Sequence, residues 1–523
     1  MYLTVNKRIS PRKIEVFHAR NLIEKQRHPA KERPFPYYLV PDKGDTIVFG
    51  ERDNYLRLGS PNRIVGAQIL HDKGSAIFEF ENDLPEHVDY GLTVANISQD
   101  PYTEIKNCTV RGNRARGFLI KVSEAVIENC TFIRPTISGI LLENDASYWY
   151  EGIRVKNLLI KNAAVVFPDS IKHSRNVLEK NGKIADCDFR GDPPENTEII
   201  NAGGNYLLPG FIDIHIHGGG GADLMDATPE AFETAVKSHL QHGTTTLVPT
   251  AMSAAEKDLT AFLKAFKSFR KNSKYGAVTP GVHLEGPYFS GASAKSGGAQ
   301  PRDILRLPDI NEVERLLKTA DGDILRWDAA PELPGADEFA HCMTDNGILC
   351  AIAHSNADSE EAQRGIDCGF SHVTHFYNAV TTYHKTGQTV YGGIVEAAYL
   401  NSGVTVELIC DGKHIPRDIL RLALKIKGVN SVAAITDAMR LSGTKMKHGK
   451  LGSLKNGTDV IVDDGVAKLP DMSSFAGSIA TMDRCLKVLC LDYGISLTDA
   501  SVMLSGTPAR LLRLGNTKGR IQN

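Results

Sequence analysis

After Leu208 the chain alternates between short apolar runs and longer amphipathic stretches. Eight runs have strand character: FIDIHIH, TTTLVPT, TPGVHLEGP, ILRWDAAP, ILCAIAHS, HVTHFYNA, VTVELICD and SVAAITDA. The stretches between them, such as 229–242, 254–272, 359–368 and 416–427, have helical spacing. Pro229 and Pro416 suit the first turn of a helix, and Gly243 and Gly428 suit its end. Eight strand–helix units in a row predict a (β/α)8 TIM-like barrel over residues 208–449.

Residues 1–156 have a different texture, with short β-rich runs that repeat. The triplet NCT at 107–109 recurs at 129–131, and Gly117 recurs as Gly139, each 22 residues later. A period of this length, with one strand–turn unit per coil, predicts a partial right-handed parallel β-helix. We therefore expect residues 1–156 to form a domain of their own.

Ionisable residues close several of the apolar runs at the strand ends where such barrels carry their chemistry. They are His215, His217, Glu285, His354, His375 and Asp437. Asp213, His215 and His217 point to one face of their strand, and the four glycines that follow allow the backbone to turn sharply. Taken alone, a His-x-His pair is as often a structural accident as a metal site. Four imidazoles and two carboxylates on one rim, however, form a ligand set for one or two divalent ions that leaves room for water.

Composition and charge exclude several classes of protein. The chain has 523 residues, a formal net charge of -2 and a sequence pI near 6.8, so bulk charge favours neither nucleic acid nor an anionic membrane. Its nine cysteines include no C-x-x-C pair, which disfavours a disulfide scaffold. The start MYLTVNKRIS lacks the apolar core of a signal peptide, and no segment approaches the roughly 20 apolar residues of a membrane span. We expect a cytoplasmic protein.

The stretches NCTVRGNRARGFLI and SGILLENDASYWYEG resemble the last coils of the β-helical glycoside hydrolases that include α-1,3-galactosidases. Glycosidases work with a pair of carboxyl groups, so Glu143, Asp145 and Glu151 are candidates for that role. Solvated acids beside turns are the alternative. The repeats are too few for a complete enzyme of this kind, so we interpret the segment as a partial or accessory domain.

A second resemblance covers the chain from about Leu158 onward. PGFIDIHIHGGGGAD, HLEGPYFS, AHSNA, THFYNA, DGKHI and ITDAM are similar to the ordered motifs of N-acetylglucosamine-6-phosphate deacetylases in the amidohydrolase superfamily. The resemblance implies a small β-sandwich domain built from residues 157–207 and 450–523, the latter with C-terminal helices. Family members continue past a KGRI-like turn into closing strands, so we expect this chain, which ends at Asn523, to lack about two strands of that domain.

The resemblance also assigns roles to the residues at the strand ends. It implies that His215 and His217 bind one divalent ion, that His354 and His375 bind another, and that Glu285 lies between them. The ligand types suit zinc first, and also iron, manganese or cobalt. Asp437 matches the aspartate that acts as general base on the attacking water and then protonates the leaving amine.

Four further residues match positions that contact the substrate, and a fifth stands in place of one that is missing. Gln300 is expected to donate a hydrogen bond to the acetamide carbonyl, with an ordinary loop residue as the alternative. The backbone amides of Asn378 and Ala379 are expected to face the sugar phosphate. His414 is expected to contact the substrate, with a capping or core histidine as the alternative. The following loop, VTTYHKTGQTVYGG, lacks the family's arginine, and Lys385 or the neighbouring histidine stands in its place as a weaker point charge.

The expected activity is therefore metal-dependent hydrolysis of N-acetylglucosamine 6-phosphate to glucosamine 6-phosphate and acetate in amino-sugar catabolism. A non-phosphorylated or galacto-configured N-acetyl sugar is an alternative substrate, and an inactive truncated fusion is a non-enzymatic alternative. A hydantoinase or dihydroorotase is disfavoured, because the strand ending HLEGP supplies Glu285 where those enzymes need a carboxylated lysine. Family members are commonly dimers, so a homodimer is expected.

Overall fold

The computed structural model describes residues 2–17, 41–50, 57–70, 75–86, 88, 92–96, 98, 103–106, 108–111, 118–120, 125–128, 131–133, 140–142, 157–180, 182–194, 197–290 and 299–522. Two compact units divide the chain: Met1–Val165 with Lys172–Tyr206 and Gln522–Asn523, and Val166–Ile171 with Leu207–Ile521. No helix among the described residues has the length and apolar character needed to cross a bilayer.

The first unit begins with a closed antiparallel barrel of six strands. Their bounds are Tyr2–Ser10, Lys13–Phe17, Thr46–Gly50, Arg57–Leu70, Ser75–Phe80 and Thr93–Asn96. Apolar side chains such as Val5, Ile14, Phe49 and Phe78 alternate inward and fill its core. The prediction of parallel coils is therefore wrong for residues 2–96, because every neighbouring pair of these strands is antiparallel. Antiparallel strands pair across connections of any length, so they produce no fixed repeat in the sequence.

Parallel pairing does occur where the sequence repeats. Six short strands lie there, Thr103–Lys106, Thr109–Arg111, Phe118–Ile120, Ala125–Glu128, Thr131–Ile133 and Ile140–Leu142. Each of the first three pairs in parallel with the strand 22 residues later, as Thr109 does with Thr131. Stacked repeats of 22 residues produce this register. The right-handed β-helix over this segment stays a prediction. The candidate carboxylates Glu143, Asp145 and Glu151 lie outside the described residues.

The remaining strands of the first unit extend the sheet that the repeats begin. They are Asn157–Val166, Ile171–Lys180, Lys183–Asp186, Thr197–Asn201 and Tyr206–Leu207. Val126 of one repeat strand pairs with Ile199, which in turn pairs with Leu159. The expected β-sandwich joining 157–207 to 450–523 differs from this arrangement. The strands of the later segment, His448–Leu451, Thr458–Asp463 and Val466–Lys468, form a three-stranded sheet of their own within the second unit.

The second unit contains eight parallel strands that neighbour one another in chain order, which confirms the predicted barrel. They are Phe211–Ile216, Thr244–Ala251, Val282–Tyr288, Ile324–Ala329, Leu349–Ile352, His372–Val373, Thr405–Ile409 and Val432–Ile435. A helix follows each of the first seven strands: Pro229–Leu240, Glu256–Asn272, Ile310–Ala320, Ala336–Asp345, Ser359–Cys368, Ile394–Leu400 and Arg417–Lys427. Met482–Lys487, Leu497–Ser501 and Thr507–Leu511 are the C-terminal helices, separated by π-helical turns at Val488–Asp492 and Val502–Gly506.

Short elements decorate the ends of the barrel strands. Gly218–Gly219 pairs with Ala222–Asp223, and His384–Thr386 pairs with Thr389–Tyr391, each as an antiparallel hairpin. Single 3-10 turns lie at Leu224–Asp226, Gly276–Val278, Arg302–Ile304 and Val429–Ser431.

The helix Glu256–Asn272 shows how the sequence specifies the outer layer. Its apolar side chains recur at helical spacing, and Leu259, Phe262, Phe266 and Phe269 are all buried in the main core of this unit. Side chains three and four positions apart share one face of a helix, so this spacing produces an apolar stripe that packs on the barrel.

The first and last barrel strands meet at a seam. Ile216 and Ala438 form a parallel bridge, and the amide of His217 donates to the Ala438 carbonyl at 2.8 Å. The Asp437 amide donates to the His215 carbonyl at 3.1 Å. These bonds nearly close the barrel, and they place the residues that follow the last strand beside those that end the first.

Candidate metal centre

Six ionisable side chains from five barrel strands converge at one rim of the barrel, and all six are buried. His215 lies at the end of the first strand and His217 just after it, whereas Glu285 lies within the third. His354, His375 and Asp437 each follow the end of a strand by two residues. Each of these last three has a positive φ, 44°, 29° and 49° respectively. L-residues rarely adopt this conformation, and it is concentrated at functional sites, where the surrounding structure enforces it.

Two groups of ligand atoms result, and we call them the first trio (His215, His217 and Asp437) and the second trio (Glu285, His354 and His375). The ligand atoms of each trio lie within 4.8 Å of one another. In the first trio the two Nε2 atoms are 3.2 Å apart. Asp437 Oδ1 lies 3.3 Å from the Nε2 of His217 and 3.6 Å from that of His215.

Glu285 joins the two trios, because each of its oxygens faces a different one. Its Oε1 lies 2.8 Å from His354 Nε2 and 3.1 Å from His375 Nε2. Its Oε2 lies 3.3 Å from His217 Nε2. A carboxylate in this position is suited to bridge two ions or to ligate one at the centre.

The hydrogen bonds of two histidine rings leave their Nε2 atoms free to bind a cation. His215 Nδ1 lies 2.7 Å from a carboxylate oxygen of Glu407, and His375 Nδ1 lies 3.0 Å from the Asn378 carbonyl. Both partners only accept hydrogen bonds, so each Nδ1 carries a proton and Nε2 is the ring nitrogen left to bind a metal ion. The Nε2 atoms face another ring nitrogen or a carboxylate oxygen at 3.1 to 3.2 Å. Two acceptor atoms at this distance repel each other unless a proton or a metal ion lies between them.

The electrostatics of the site agree with this conclusion. Burial opposes ionisation, but hydrogen bonds from His217, His354 and His375 hold the pKa of Glu285 well below its ordinary value. Burial likewise opposes the ionised form of Asp437, and the hydrogen bond from His217 lowers the pKa of that carboxyl. Burial disfavours protonated His375, yet Glu285 raises its pKa to about 9, so the proton on this ring holds the place that a bound cation would take. The two carboxylates are therefore charged at neutral pH and attract cations.

A buried ionic network supports the ligands, and the sequence analysis missed it. Its members are His283, Arg326, Asp328, His372, Thr374 and Glu407, all of them fully buried. Arg326 forms ion pairs with both Asp328 and Glu407. Thr374 Oγ1 donates to Asp328 at 2.6 Å and accepts from Arg326 at 2.6 Å. The available signal was a charged residue inside an apolar run, as in ILRWDAA and VTVELI, because a buried charge needs a partner.

Most of the predicted substrate contacts line one cavity of about 260 Å³ together with ligands from both trios. Gln300, Asn378, Ala379 and His414 are all among its lining residues. Lys385 is the predicted contact that the structure does not bring to this cavity. It lies on the exposed hairpin His384–Thr386/Thr389–Tyr391, whose side chains all face solvent.

Two of these lining residues, Gln300 and His414, have side-chain hydrogen bonds, and Asn378 has an unpaired donor. Gln300 Nε2 donates to Glu285 Oε2 at 2.9 Å, and its Oε1 accepts from the Ser253 amide at 3.2 Å. The Asn378 Nδ2 is buried and has no partner among the described residues. His414 Nδ1 lies 2.8 Å from Asp411 Oδ2, which fixes the ring. Gln300 is thus attached to the second trio, unlike an ordinary loop residue.

Comparison with known proteins identifies the family. A sequence model of the amidohydrolase family matches residues 206–523, more than half of the chain. The chain belongs to the amidohydrolase family. Over 370 residues it is 32% identical to the N-acetylglucosamine-6-phosphate deacetylase of Bacillus subtilis, covering 70% of this chain and 90% of that protein.

Solved structures of family members agree with the fold of this chain. One is a mutant of N-acetyl-D-glucosamine-6-phosphate deacetylase from Mycobacterium smegmatis, solved in complex with N-acetyl-D-glucosamine-6-phosphate. It aligns with this chain with a TM-score of 0.62 at 28% identity, and the alignment covers 69% of this chain and 91% of the other. The N-acetylglucosamine-6-phosphate deacetylase of Pasteurella multocida has a TM-score of 0.64 at 26% identity, with 70% and 92% covered.

Proposed function

We propose that this amidohydrolase removes the N-acetyl group of N-acetylglucosamine 6-phosphate, giving glucosamine 6-phosphate and acetate in amino-sugar catabolism. The observation that carries the proposal is the pair of trios joined by Glu285, with ligands from both trios lining one cavity. The relatives named above support this substrate, because they are deacetylases of this sugar phosphate. The homodimer and the cytoplasmic location stay predictions.

The two trios would hold one or two divalent ions, with zinc as the first choice and iron, manganese or cobalt as alternatives. Such an ion supplies Lewis-acid polarisation of the amide carbonyl, and it lowers the pKa of water to near 7. The protein fixes the ligands through the hydrogen bonds at His215 Nδ1 and His375 Nδ1, which select the ring tautomer that presents Nε2.

Asp437 is the proposed general base. Its lowered pKa keeps the carboxylate ionised at neutral pH, and it lines the cavity. The carboxylate takes a proton from water as the water oxygen forms its bond to the acetamide carbon. The same proton then passes to the sugar nitrogen as the C–N bond breaks, so that a neutral amine leaves and the carboxylate is restored.

Three lining residues are proposed to orient the sugar. Gln300 uses one N–H on Glu285, which leaves the second N–H for the acetamide carbonyl. The unpaired Nδ2 of Asn378 offers donors to a phosphate or hydroxyl oxygen. Asp411 engages His414 Nδ1, so the Nε2 of that ring is left for the substrate.

One observation favours a second substrate class, the non-phosphorylated or galacto-configured N-acetyl sugars. No lysine or arginine is present among the described residues that line the cavity. Phosphate recognition commonly uses such a cation, and a bidentate arginine most of all. A sugar hydroxyl needs only uncharged partners, such as the amide donors of Gln300 and Asn378.

Acetate release from four substrates tests both proposals. N-acetylglucosamine, N-acetylgalactosamine and the 6-phosphate of each are compared with the metal-loaded protein. A higher kcat/KM for N-acetylglucosamine 6-phosphate is the expected result, and equal values with and without phosphate would favour the second class. Acetate release from none of the four would overturn the proposed function.

Asp437→Asn tests the proposed base. It should lower kcat by about 10²- to 10⁴-fold, the usual contribution of general acid–base catalysis, while the second trio, which does not include Asp437, still binds metal. Asp459→Asn, in an exposed side chain that does not line the cavity, is the matched control. Turnover within tenfold of that control would remove Asp437 from this role.

A further inference from the structure

Glu407 contacts one metal-ligand residue from each trio through a single oxygen. Its Oε1 accepts from His215 Nδ1 at 2.7 Å and from the backbone amide of His375 at 3.1 Å. The first contact fixes a ring in the first trio, and the second fixes the backbone of a residue in the second trio. Glu407 itself is fully buried on the seventh barrel strand, and it does not line the cavity.

The position of this carboxylate is held from its other side. Arg326 donates from Nη1 to Oε2 of Glu407 and from Nη2 to Oε1, the latter at 3.0 Å. A bidentate guanidinium fixes the plane of a carboxylate as well as its place. Arg326 is held in turn by Asp328, 3.0 Å from its Nε, and His372 Nε2 lies 3.3 Å from the second oxygen of Glu407. The side chain of Glu407 therefore has no freedom to follow a displaced ligand.

Both contacts act on properties that decide metal affinity. The bond to His215 selects the ring tautomer, because a carboxylate only accepts and Nδ1 must donate, so Nε2 keeps its lone pair. Acceptors at this place typically raise the affinity of a histidine for metal by 10- to 100-fold. The bond to the His375 amide anchors a residue with a φ of 29°, a conformation that persists only where its surroundings enforce it.

We propose that Glu407 is a positioning residue shared by both trios, which acts through His215 and His375 to set the affinity and geometry of metal binding. The inference rests on the proposed function only in taking the trios as the metal site. Glu407 touches no substrate, so the effect of its loss reaches turnover through the ligands alone.

Cobalt(II) binding tests the inference, because visible absorption of this ion reports its coordination. Glu407→Gln keeps the size of the side chain but replaces one acceptor oxygen by an N–H₂ group, so the side chain can no longer accept from His215 at one end and from Arg326 Nη1 at the other. Asp323→Asn is the matched control: this buried carboxylate pairs with Arg270 at 2.6 Å and lies outside the cavity and both trios. Each metal-free protein is titrated with Co²⁺ against a chelator of known affinity.

Glu407→Gln should bind Co²⁺ at least tenfold more weakly than wild type and with an altered visible spectrum, whereas Asp323→Asn should match wild type on both counts. Binding by Glu407→Gln less than tenfold weaker than that of the control would overturn the inference. Glu407→Asp covers the case in which the amide variant does not fold. It preserves the charge opposite Arg326 but shortens the reach to His215 by one methylene group, and the same tenfold criterion applies.

The titration separates this inference from the proposed function. The titration measures metal binding in the absence of substrate. The role of Glu407 can therefore be tested even if the protein hydrolyses no acetyl sugar. Conversely, the wild-type protein could release acetate while Glu407→Gln binds Co²⁺ normally. That result would support the proposed function and would remove the role of Glu407.

Discussion

Replacing Gly218 by alanine should damage the metal centre without touching a ligand. Gly218 follows His217 directly, and a Cβ at this position would lie 2.3 Å from the Ala222 carbonyl oxygen and 3.1 Å from both the Arg440 amide and the Asp223 Cα. All three neighbours are backbone atoms, so no flexible side chain can move aside. Ordinary contact begins at 3.4 Å, and the chain must therefore shift by about 1.1 Å (3.4 − 2.3).

That shift is large compared with the tolerances of the site. The amides of His217 and Gly218 both donate to Ala438, at 2.8 and 3.0 Å, and His217 Nε2 meets its partners at 3.2 to 3.3 Å. Loss of two backbone hydrogen bonds costs about 2 kcal/mol of unfolding free energy. A misplacement of about 1 Å costs roughly 100-fold in rate, which corresponds to about 2.7 kcal/mol of activation free energy.

The assay is acetate release at saturating metal, together with thermal unfolding. Gly403→Ala is the matched control, because a Cβ there meets nothing within 4 Å and the backbone is not left-handed. Gly218→Ala should lower kcat/KM by about 100-fold, and the control should leave it unchanged. A Gly218→Ala protein with kcat/KM within threefold of the control would refute this account of how His217 is held.

Three further predictions concern pH, metal and the exposed hairpin. Burial lowers the pKa of His239 from 6.5 to about 4, so the stability that its neutral form contributes is complete above pH 6.5 and is lost as the pH falls toward 4. Between pH 7 and pH 5 the free energy of unfolding should fall by about 2 kcal/mol for this reason. In urea unfolding, His239→Gln, which keeps an N–H donor for the Gly218 carbonyl, should lose about 2 kcal/mol less than wild type over the same range. Chelation should lower the unfolding temperature, and readdition of Zn²⁺ should restore it; an unchanged temperature in a protein shown to have lost its metal would contradict metal binding by the two trios. Lys385→Ala should leave kcat/KM within twofold of wild type because the side chain is exposed, and a tenfold loss would instead indicate that the hairpin reaches a cavity on a second copy.

The sequence specifies the barrel and its rim because both depend on local patterns. FIDIHIH and VAAITDA each end an apolar run with an ionisable group, and the parallel strands of a barrel deliver such ends to one rim. His215, Glu285 and Asp437 could therefore be assigned to one site before any distance was known. The place of Lys385 in the motif, by contrast, did not show that a two-stranded hairpin carries its side chain into solvent.

Long-range pairings of buried polar groups could not be predicted in this way. Glu407 and Arg326 are 81 residues apart, and each looks like an isolated exception within an apolar strand. Only the register of the folded sheet shows that they neutralise one another beneath His215. The antiparallel barrel of residues 2–96 was missed for a related reason: its strands pair across turns and gaps of differing length, which produce no repeat in the sequence.

The seam has a consequence for the newly made polypeptide. The bonds between His215 and Asp437 and between His217 and Ala438 each join residues about 220 positions apart (437 − 215 = 222), and they complete the barrel and the first trio in the same step. A ribosome-bound chain that has not yet released its eighth barrel strand lacks both the seam and Asp437. Because Asp437 is the proposed general base, we expect acetate release to begin only after that strand has emerged.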